Sequence, residues 1–317
     1  MKINGLISVV MPVYNCDSYL REAIQSILDQ TYKQFELIIV EDGSKDGTRS
    51  IVEEFASVDN RIHPIYKEIN RGVPGYIANL NEVVGLAQGE FIARMDGDDI
   101  SLPDRFAKQV EFLRNNPGIF LVGTSAINIS PEGEFISYTV FPTDATKIQK
   151  DLERKNSIYH PTVMFRNDGT VKYRLNYAED YDLWLQLIKS GKQLTNLAEP
   201  LLKYRTSTGS LSRGDSLKNV VASLVAQQIY RGELSFEEYS LDPDKFISRF
   251  LPENIGYTDA VKLFELALTL QQLKIAKNCI TVINKDGVDF TRTFRLQLTQ
   301  LRVYLAIALN KLRGIGK

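Results

Sequence analysis

Short apolar segments alternate with amphipathic ones along the first third of the chain. Apolar residues are nearly continuous in three segments, which is typical of strands covered on both faces: residues 6–11, 35–40 and 91–93. Apolar side chains recur at helical spacing in the segments between them: residues 20–28, 51–55 and 76–87. This alternation predicts an α/β fold with a mostly parallel sheet flanked by helices.

The pattern changes after a predicted helix at residues 103–115. The elements predicted next are a hairpin at residues 120–141, a helix at 144–153, strands at 159–165 and 201–205, and a helix at 181–190. From Gly214 onward the apolar stripes predict helices alone. We therefore predict a sheet domain of residues 1–213 and a helical C-terminal extension of residues 214–317.

Polar loops follow three of the predicted strands, at residues 12–15, 41–44 and 96–99. The carboxyl ends of parallel strands meet at one edge of a sheet, and ligands of such sheets bind there. The sequence therefore predicts a site at this edge.

The third of these loops carries Asp96, Asp98 and Asp99 within four positions. Carboxylates this close repel one another, and a divalent cation with an anionic ligand would relieve the repulsion. The alternative is a solvated acidic turn that caps the next helix. His63 and His160 are the only histidines, so a multi-histidine zinc site is excluded. Oxygen ligands fit Mg²⁺ or Mn²⁺.

Composition narrows the class of protein. The chain has 317 residues, 44% of them hydrophobic and 24% charged, as in an ordinary soluble globular protein. A formal net charge of -1 argues against nucleic acid as a partner. Cys16 and Cys279 lie far apart, and the start lacks the apolar region of a signal peptide. We expect a cytoplasmic protein.

The C-terminal end is basic, because no acid follows Asp289. One interpretation is peripheral contact with anionic lipid at the inner membrane surface. The favoured alternative is a helical subdomain or homo-oligomer face with a solvated polar side.

Five motifs occur in order along the chain: residues 9–15, 26–31, 40–48, 89–99 and 179–184. Over about residues 5–213, the chain resembles the family 2 inverting glycosyltransferases of the GT-A fold, a Rossmann-like architecture. It departs from the family at Glu41, where aspartate is commoner, and at Pro74, Gly75 and Tyr76, where small residues are usual.

The resemblance implies transfer of a sugar from a nucleoside-diphosphate sugar to a hydroxyl of a saccharide or lipid-linked acceptor. A divalent cation would bridge the diphosphate and stabilise its developing charge. The resemblance implies that Asp98 binds this cation, and that Asp96 lies nearer the ribose or sugar of the donor. Asp99 would support them.

The remaining roles that the resemblance implies concern the nucleotide and the general base. Pro12, Tyr14 and Asp42 match positions that contact the nucleotide. Tyr14 could stack on the base, and Asp42 could accept a hydrogen bond from a uracil imide, which favours a UDP-sugar. Asp180 matches the general base, with Glu179 and Asp182 as rivals.

Several alternatives stay open at this point. Tyr14 could instead pack in the core, Asp42 could instead stabilise a turn, and Asp180 could instead cap a helix. Trp184 is expected in the core, and His160 could contact a ligand or form a structural hydrogen bond.

Two other functions compete with sugar transfer. A nucleotidyltransferase would need a Gly- and basic-rich loop after the first strand, and residues 12–16 are neither. A non-catalytic partner subunit that binds a nucleotide sugar or glycan is disfavoured, because both acidic motifs are intact.

Overall fold

The computed structural model describes residues 2–206 and 216–241. The strands in this part of the chain are β1 (Ile3–Val13), β2 (Phe35–Glu41), β3 (Ile62–Tyr66), β4 (Gly89–Arg94), β5 (Ile100–Ser101), β6 (Ile119–Ile129), β7 (Phe135–Thr139), β8 (Met164–Arg166) and β9 (Gln193–Arg205). The helices are α1 (Asp17–Leu28), α2 (Thr48–Val58), α3 (Gly72–Leu86), α4 (Arg105–Asn115), α5 (Ala145–Leu152), α6 (Glu179–Lys189), α7 (Ser216–Arg231) and α8 (Phe236–Leu241).

All nine of these strands join one sheet, in the order β3-β2-β1-β4-β8-β6-β9-β5, and β7 pairs with β6 beyond the segment of β6 that pairs with β8. Strands β1 to β4 pair in parallel, as do β6 and β9, while the short strands β5, β7 and β8 pair antiparallel to their neighbours. Strands β1 to β4, β6 and β9 therefore run in one direction. This arrangement confirms the predicted α/β fold with a mostly parallel sheet.

Helices cover both faces of the parallel part of the sheet. Ile7, Val9 and Met11 of β1 lie in one buried cluster with apolar residues of α1, α2 and α4. Helix α3 contacts β1 and β2 but lies outside this cluster. Because strand side chains alternate between faces, α3 covers the opposite face. Burial on both sides explains the continuous apolar runs of β1 and β2.

The second half differs from the sequence-based expectation in two places. The last strand, β9, begins at Gln193 rather than residue 201, because it pairs with β6 from Ile119↔Gln193 to Ile129↔Arg205. Polar side chains along β9 interrupt the apolar pattern, so the sequence did not predict the full length of this strand. The strand expected at residues 159–165 is a 3₁₀ turn, His160–Thr162, followed by β8. The predicted hairpin and the predicted helix at 144–153 are confirmed by β6, β7 and α5.

The chain divides into two compact units, Met1–Ser210 and Leu211–Lys317. Helices α7 and α8 are the described part of the second unit. The predicted boundary after Arg213, Cys279 and the basic end after Asp289 lie outside the described residues, so the domain limits and the membrane or oligomer roles stay predictions. Among the helices that are described, none combines the length and hydropathy needed to cross a bilayer.

Gly89 provides a test of the β1–β4 pairing. A Cβ atom at this position would lie 2.5 Å from the carbonyl oxygen of Leu6 and 2.7 Å from the amide nitrogen of Ser8. We expect Gly89→Ala to lower the free energy of unfolding by roughly 2 kcal/mol, because backbone atoms must move apart. Urea denaturation measures this change.

Gly85 is the matched control, because it is exposed in α3 and a Cβ there meets nothing within 4 Å. Gly85→Ala should stabilise the protein by roughly 0.5 kcal/mol through helix propensity. Equal effects of the two substitutions would contradict the argument.

Candidate active site

Three loops meet at the carboxyl edge of the parallel strands, as the sequence predicts. The amide of Asp42 donates to the carbonyl of Val13 at 3.0 Å, and the amide of Met95 donates to that of Val10 at 3.2 Å. At Gly97, a Cβ atom would lie 2.9 Å from Cγ1 of Val13. The loop after β4 therefore packs directly on the end of β1, and Gly97 permits this approach.

Pro12, Tyr14 and Asp42 occupy neighbouring positions at this edge. Pro12 is buried within β1 opposite Val40, whereas Tyr14 is 42% exposed beyond the strand end. This exposure excludes core packing for Tyr14. Asp42 is buried, and its Oδ2 accepts a hydrogen bond from Nδ2 of Asn70 at 2.8 Å. Burial raises the pKa of Asp42 above its ordinary value.

Glu41, at which the chain departs from the family pattern, forms structural contacts. Its Oε1 accepts a hydrogen bond from the Ser44 amide at 2.5 Å, and its Oε2 accepts one from Nε of Arg49 at 2.8 Å. The buried carboxylate therefore closes the turn after β2 and pairs with α2. Asp42 remains the residue that this turn presents to the edge.

Asp96 is held by Arg94, the last residue of β4. Nη2 of Arg94 donates to Oδ1 of Asp96 at 2.5 Å and to the Tyr76 hydroxyl at 3.0 Å. Arg94 is fully buried, whereas the side chain of Asp96 remains 32% exposed. The arginine thus anchors a carboxylate that is still accessible from the edge.

Asp98 and Asp99 differ in their surroundings. Burial and the charge of Asp96 raise the pKa of Asp98 to about 6, and in the described part of the chain Asp98 forms no ion pair. Asp99 is buried, and its Oδ1 accepts a hydrogen bond from the Arg205 amide at 2.8 Å. Asp98 therefore lacks a close positive partner, while Asp99 fixes the loop.

Arg205, at the end of β9, ties this loop to the rest of the domain. Its Nε donates to the carbonyl of Asp98 at 2.8 Å, and its Nη1 donates to the carbonyl of Pro131 at 2.9 Å. Nη2 pairs with Glu22 of α1 at 2.8 Å, and the guanidinium lies over the ring of Tyr19. One side chain thus joins the acidic loop, α1 and the β6–β7 hairpin.

Asp180 lies in the first turn of α6. Its Oδ1 accepts a hydrogen bond from the Tyr181 amide at 2.7 Å, and its Oδ2 accepts one from Nδ2 of Asn156 at 2.8 Å. Ala178, which precedes the helix, has left-handed backbone angles and no capping side chain. Asp180 is therefore not the cap residue. Burial raises its pKa to about 6.

The two rival carboxylates have different environments. Both oxygens of Asp182 accept hydrogen bonds from Arg174, at 2.7 and 3.0 Å, so this carboxylate is committed to an ion pair. Burial and the neighbouring Asp180 raise the pKa of Glu179 to about 8, so the group retains its proton at neutral pH. Asp180 is thus the member of the three best suited to accept a proton.

His160 and Trp184 belong to the interior behind α6. His160 Nε2 shares a hydrogen bond of 2.8 Å with the Tyr173 hydroxyl, and its ring packs edge-on against Trp184. Burial lowers the pKa of His160 well below its ordinary value, so the imidazole is neutral. Trp184 is fully buried, as the sequence predicts.

The acidic loop and the start of α6 share one electrostatic environment. The charge of Asp96 contributes to the raised pKa values of both Glu179 and Asp180. The fold therefore brings Asp96 and Asp180, which are 84 positions apart in the sequence, close enough for their charges to interact.

The family model described as glycosyl transferase family 2 matches residues 8–166. The chain belongs to this family. The O-antigen biosynthesis glycosyltransferase WbnJ of Escherichia coli is 37% identical over 221 residues, which are 67% of this glycosyltransferase and 84% of WbnJ.

Two solved structures share the fold of this glycosyltransferase. S. aureus TarS 1-349, in complex with UDP-GlcNAc, has a TM-score of 0.61 and 17% identity, over 90% of this chain and 91% of that chain. The mannosyltransferase PcManGT of Pyrobaculum calidifontis, in complex with GDP-Man and Mn²⁺, has a TM-score of 0.55 and 16% identity. This match covers 94% of this chain and 80% of that chain. These matches confirm the GT-A fold.

Three contributors to the glycosyltransferase site escaped the sequence reasoning: Arg94, Asn156 and the anchoring contacts of Arg205. A signal existed for Arg94, because a charged residue at the end of an apolar strand needs a partner. Nothing in the sequence links Asn156 to Asp180, since their contact depends on the loop before β8.

Arg205 is testable by substitution. We expect Arg205→Ala to lower the free energy of unfolding by roughly 3 kcal/mol, because it removes a buried cation that joins three elements. Thermal and urea unfolding of the glycosyltransferase measure this effect.

Arg21 provides the control, since its ion pair with Glu54 is exposed. Arg21→Ala should leave the unfolding midpoint almost unchanged. A similar loss in both variants would contradict the anchoring role of Arg205.

Proposed function

We propose that this glycosyltransferase is a metal-dependent, inverting enzyme that transfers a sugar from a UDP-sugar to an acceptor hydroxyl. The acceptor is a saccharide or a lipid-linked acceptor in the synthesis of a cell-surface polysaccharide or glycoconjugate. The observation that carries the proposal is the shared environment of Asp96 and Asp180 at the edge that also presents Asp42. The curated relative named for O-antigen biosynthesis supports the product class.

Asp98 is the proposed ligand of a divalent cation. Its half-buried carboxylate has oxygen donors and no ion pair within the described ranges, which suits a Mg²⁺ or Mn²⁺ ion. Residues 2–206 and 216–241 contain no cluster of three His, Cys, Asp or Glu side chains that could hold a metal. A divalent cation held by Asp98 would need its remaining ligands from phosphate and water, and it would supply Lewis-acid stabilisation of the diphosphate charge.

Asp180 is the proposed general base. Each carboxylate oxygen accepts one hydrogen bond from the protein and keeps another lone pair for a substrate proton. Asn156 and the Tyr181 amide orient the carboxylate toward the acceptor hydroxyl. This hydroxyl attacks the anomeric carbon opposite the diphosphate and gives its proton to Asp180. The bond between the anomeric carbon and the diphosphate oxygen breaks, UDP leaves, and the configuration inverts.

The donor assignment rests on Tyr14 and Asp42. The exposed ring of Tyr14 offers a face for the base, and Asp42 offers an acceptor for a base N–H. A uracil imide matches this acceptor. The fold relative TarS was solved with UDP-GlcNAc, whereas PcManGT was solved with GDP-Man and Mn²⁺, which makes GDP the first competitor to test.

The first experiment separates metal binding from proton transfer. Asp98→Ala should abolish Mn²⁺-dependent UDP binding and transfer, because it removes the proposed metal ligand. Asp180→Asn should retain UDP affinity within about twofold and lose roughly a thousandfold in kcat, because only the base is lost. Calorimetry and a UDP-release assay measure these effects.

Asp168, an exposed acid paired with Lys192, supplies the control. Asp168→Asn should leave both binding and turnover unchanged. Normal turnover by Asp180→Asn would contradict the base assignment. Metal-dependent UDP binding by the wild type without transfer over an acceptor panel would favour the non-catalytic binding subunit.

The second experiment measures the pH dependence of kcat/KM. The base must be ionised, so kcat/KM should rise with pH and level off above the Asp180 pKa of about 6. Asn156→Ala removes a hydrogen bond to the ionised carboxylate. The acidic limb of the kcat/KM profile of this variant should therefore move to higher pH by roughly 0.7 unit, which corresponds to the loss of a hydrogen bond of about 1 kcal/mol.

Asn128 is the matched control, because its side-chain amide donates hydrogen bonds to Ser137 and Thr139 within the hairpin. Asn128→Ala should not move the acidic limb. An unshifted limb in Asn156→Ala would assign the titration to a group other than Asp180.

A further inference from the structure

Tyr76 stands near the start of α3, where the family usually has small residues. Its hydroxyl accepts a hydrogen bond from Nη2 of Arg94 at 3.0 Å. The same nitrogen donates to Asp96. One buried guanidinium nitrogen therefore holds the phenol and the proposed donor-side carboxylate next to each other.

The residue before Tyr76 lies close to Asp42. A Cβ atom on Gly75 would be 4.0 Å from Oδ2 of Asp42, the proposed acceptor for the base. A nucleotide sugar bound as proposed extends from the base at Asp42 to the ribose and diphosphate near Asp96. Tyr76 lies between these two carboxylates and thus along the path of the donor.

The proton of the Tyr76 hydroxyl is available for such a ligand. A tyrosine hydroxyl accepts and donates, and Arg94 occupies an accepting lone pair. Within residues 2–206 and 216–241, the Tyr76 hydroxyl forms no hydrogen bond other than the one from Arg94. Burial raises the pKa of Tyr76 well above its ordinary value, so the phenol stays protonated at neutral pH.

We propose that Tyr76 contacts the nucleotide sugar, donating its hydroxyl hydrogen bond to a ribose or diphosphate oxygen. Arg94 is the positioning residue that directs this hydroxyl. The inference rests on the proposed function, because it takes the donor path from Asp42 to Asp96. Nucleoside diphosphates contain both candidate oxygens and therefore suffice as probes.

The test is calorimetric titration of the full chain with UDP, GDP and dTDP, each with Mn²⁺. For the nucleotide that the wild type binds most tightly, Tyr76→Phe should raise Kd about tenfold, because it removes one hydrogen bond to a charged or polar group. In the transfer assay, KM for the donor should rise while kcat stays within about twofold, as expected for lost uniform binding.

Tyr32 is the matched control, since its hydroxyl donates to the Gly5 carbonyl at 2.6 Å near the amino end of β1. Tyr32→Phe should change Kd by less than about twofold. A Tyr76→Phe protein that binds as tightly as the wild type overturns the inference and leaves the proposed function intact. Wild-type protein that binds none of the three nucleotides contradicts the proposed function, and the inference with it.

A second measurement covers the case in which Tyr76→Phe folds poorly. The Tyr14→Phe protein, labelled with 3-fluorotyrosine, should still show a ¹⁹F resonance that shifts when UDP and diamagnetic Mg²⁺ are added. The absence of any shifting tyrosine resonance in this protein overturns the contact at Tyr76.

Discussion

The buried charge of Arg94 is the interaction on which the site depends. It lies in the middle of the sheet, at the end of β4, and its guanidinium binds Asp96 and Tyr76. Its positive field also acts on Asp98, Asp99 and Glu179. Without this cation, the neighbouring carboxylates would repel one another, and some of them would lose their charge.

Two arginines divide the work of holding the acidic loop. Arg94, at the end of β4, binds the carboxylate of Asp96. Arg205 donates from its side chain to the backbone carbonyl of Asp98 and from its backbone amide to the carboxylate of Asp99. The side chain of Asp98, which lies between these anchors, has no close cation in the described part of the chain. The loop is thus held rigidly on both sides of a carboxylate that forms no ion pair, as the metal-binding role proposed for Asp98 requires.

The sequence predicted the parts of this protein that repeat a regular pattern. Continuous apolar runs identified β1 and β2 because both faces are covered, and the loops after parallel strands necessarily share an edge. The length of β9 escaped prediction because its polar residues interrupt the pattern. The contacts of Asn156 and Tyr76 also escaped, since they join distant segments through loop geometry that no local pattern encodes. The roles of Pro12, Tyr14, Asp42, Asp96, Asp98 and Asp180 stay predictions.

The left-handed backbone of Ala178 has an evolutionary consequence. A residue with a Cβ in this conformation costs roughly 1 kcal/mol, which glycine would recover. Selection for thermostability alone would therefore favour glycine at this position. Glycine would also loosen the backbone just ahead of Glu179 and Asp180. At position 178, alanine therefore lowers the folding stability but keeps the two carboxylates in a fixed direction, whereas glycine has the opposite effects.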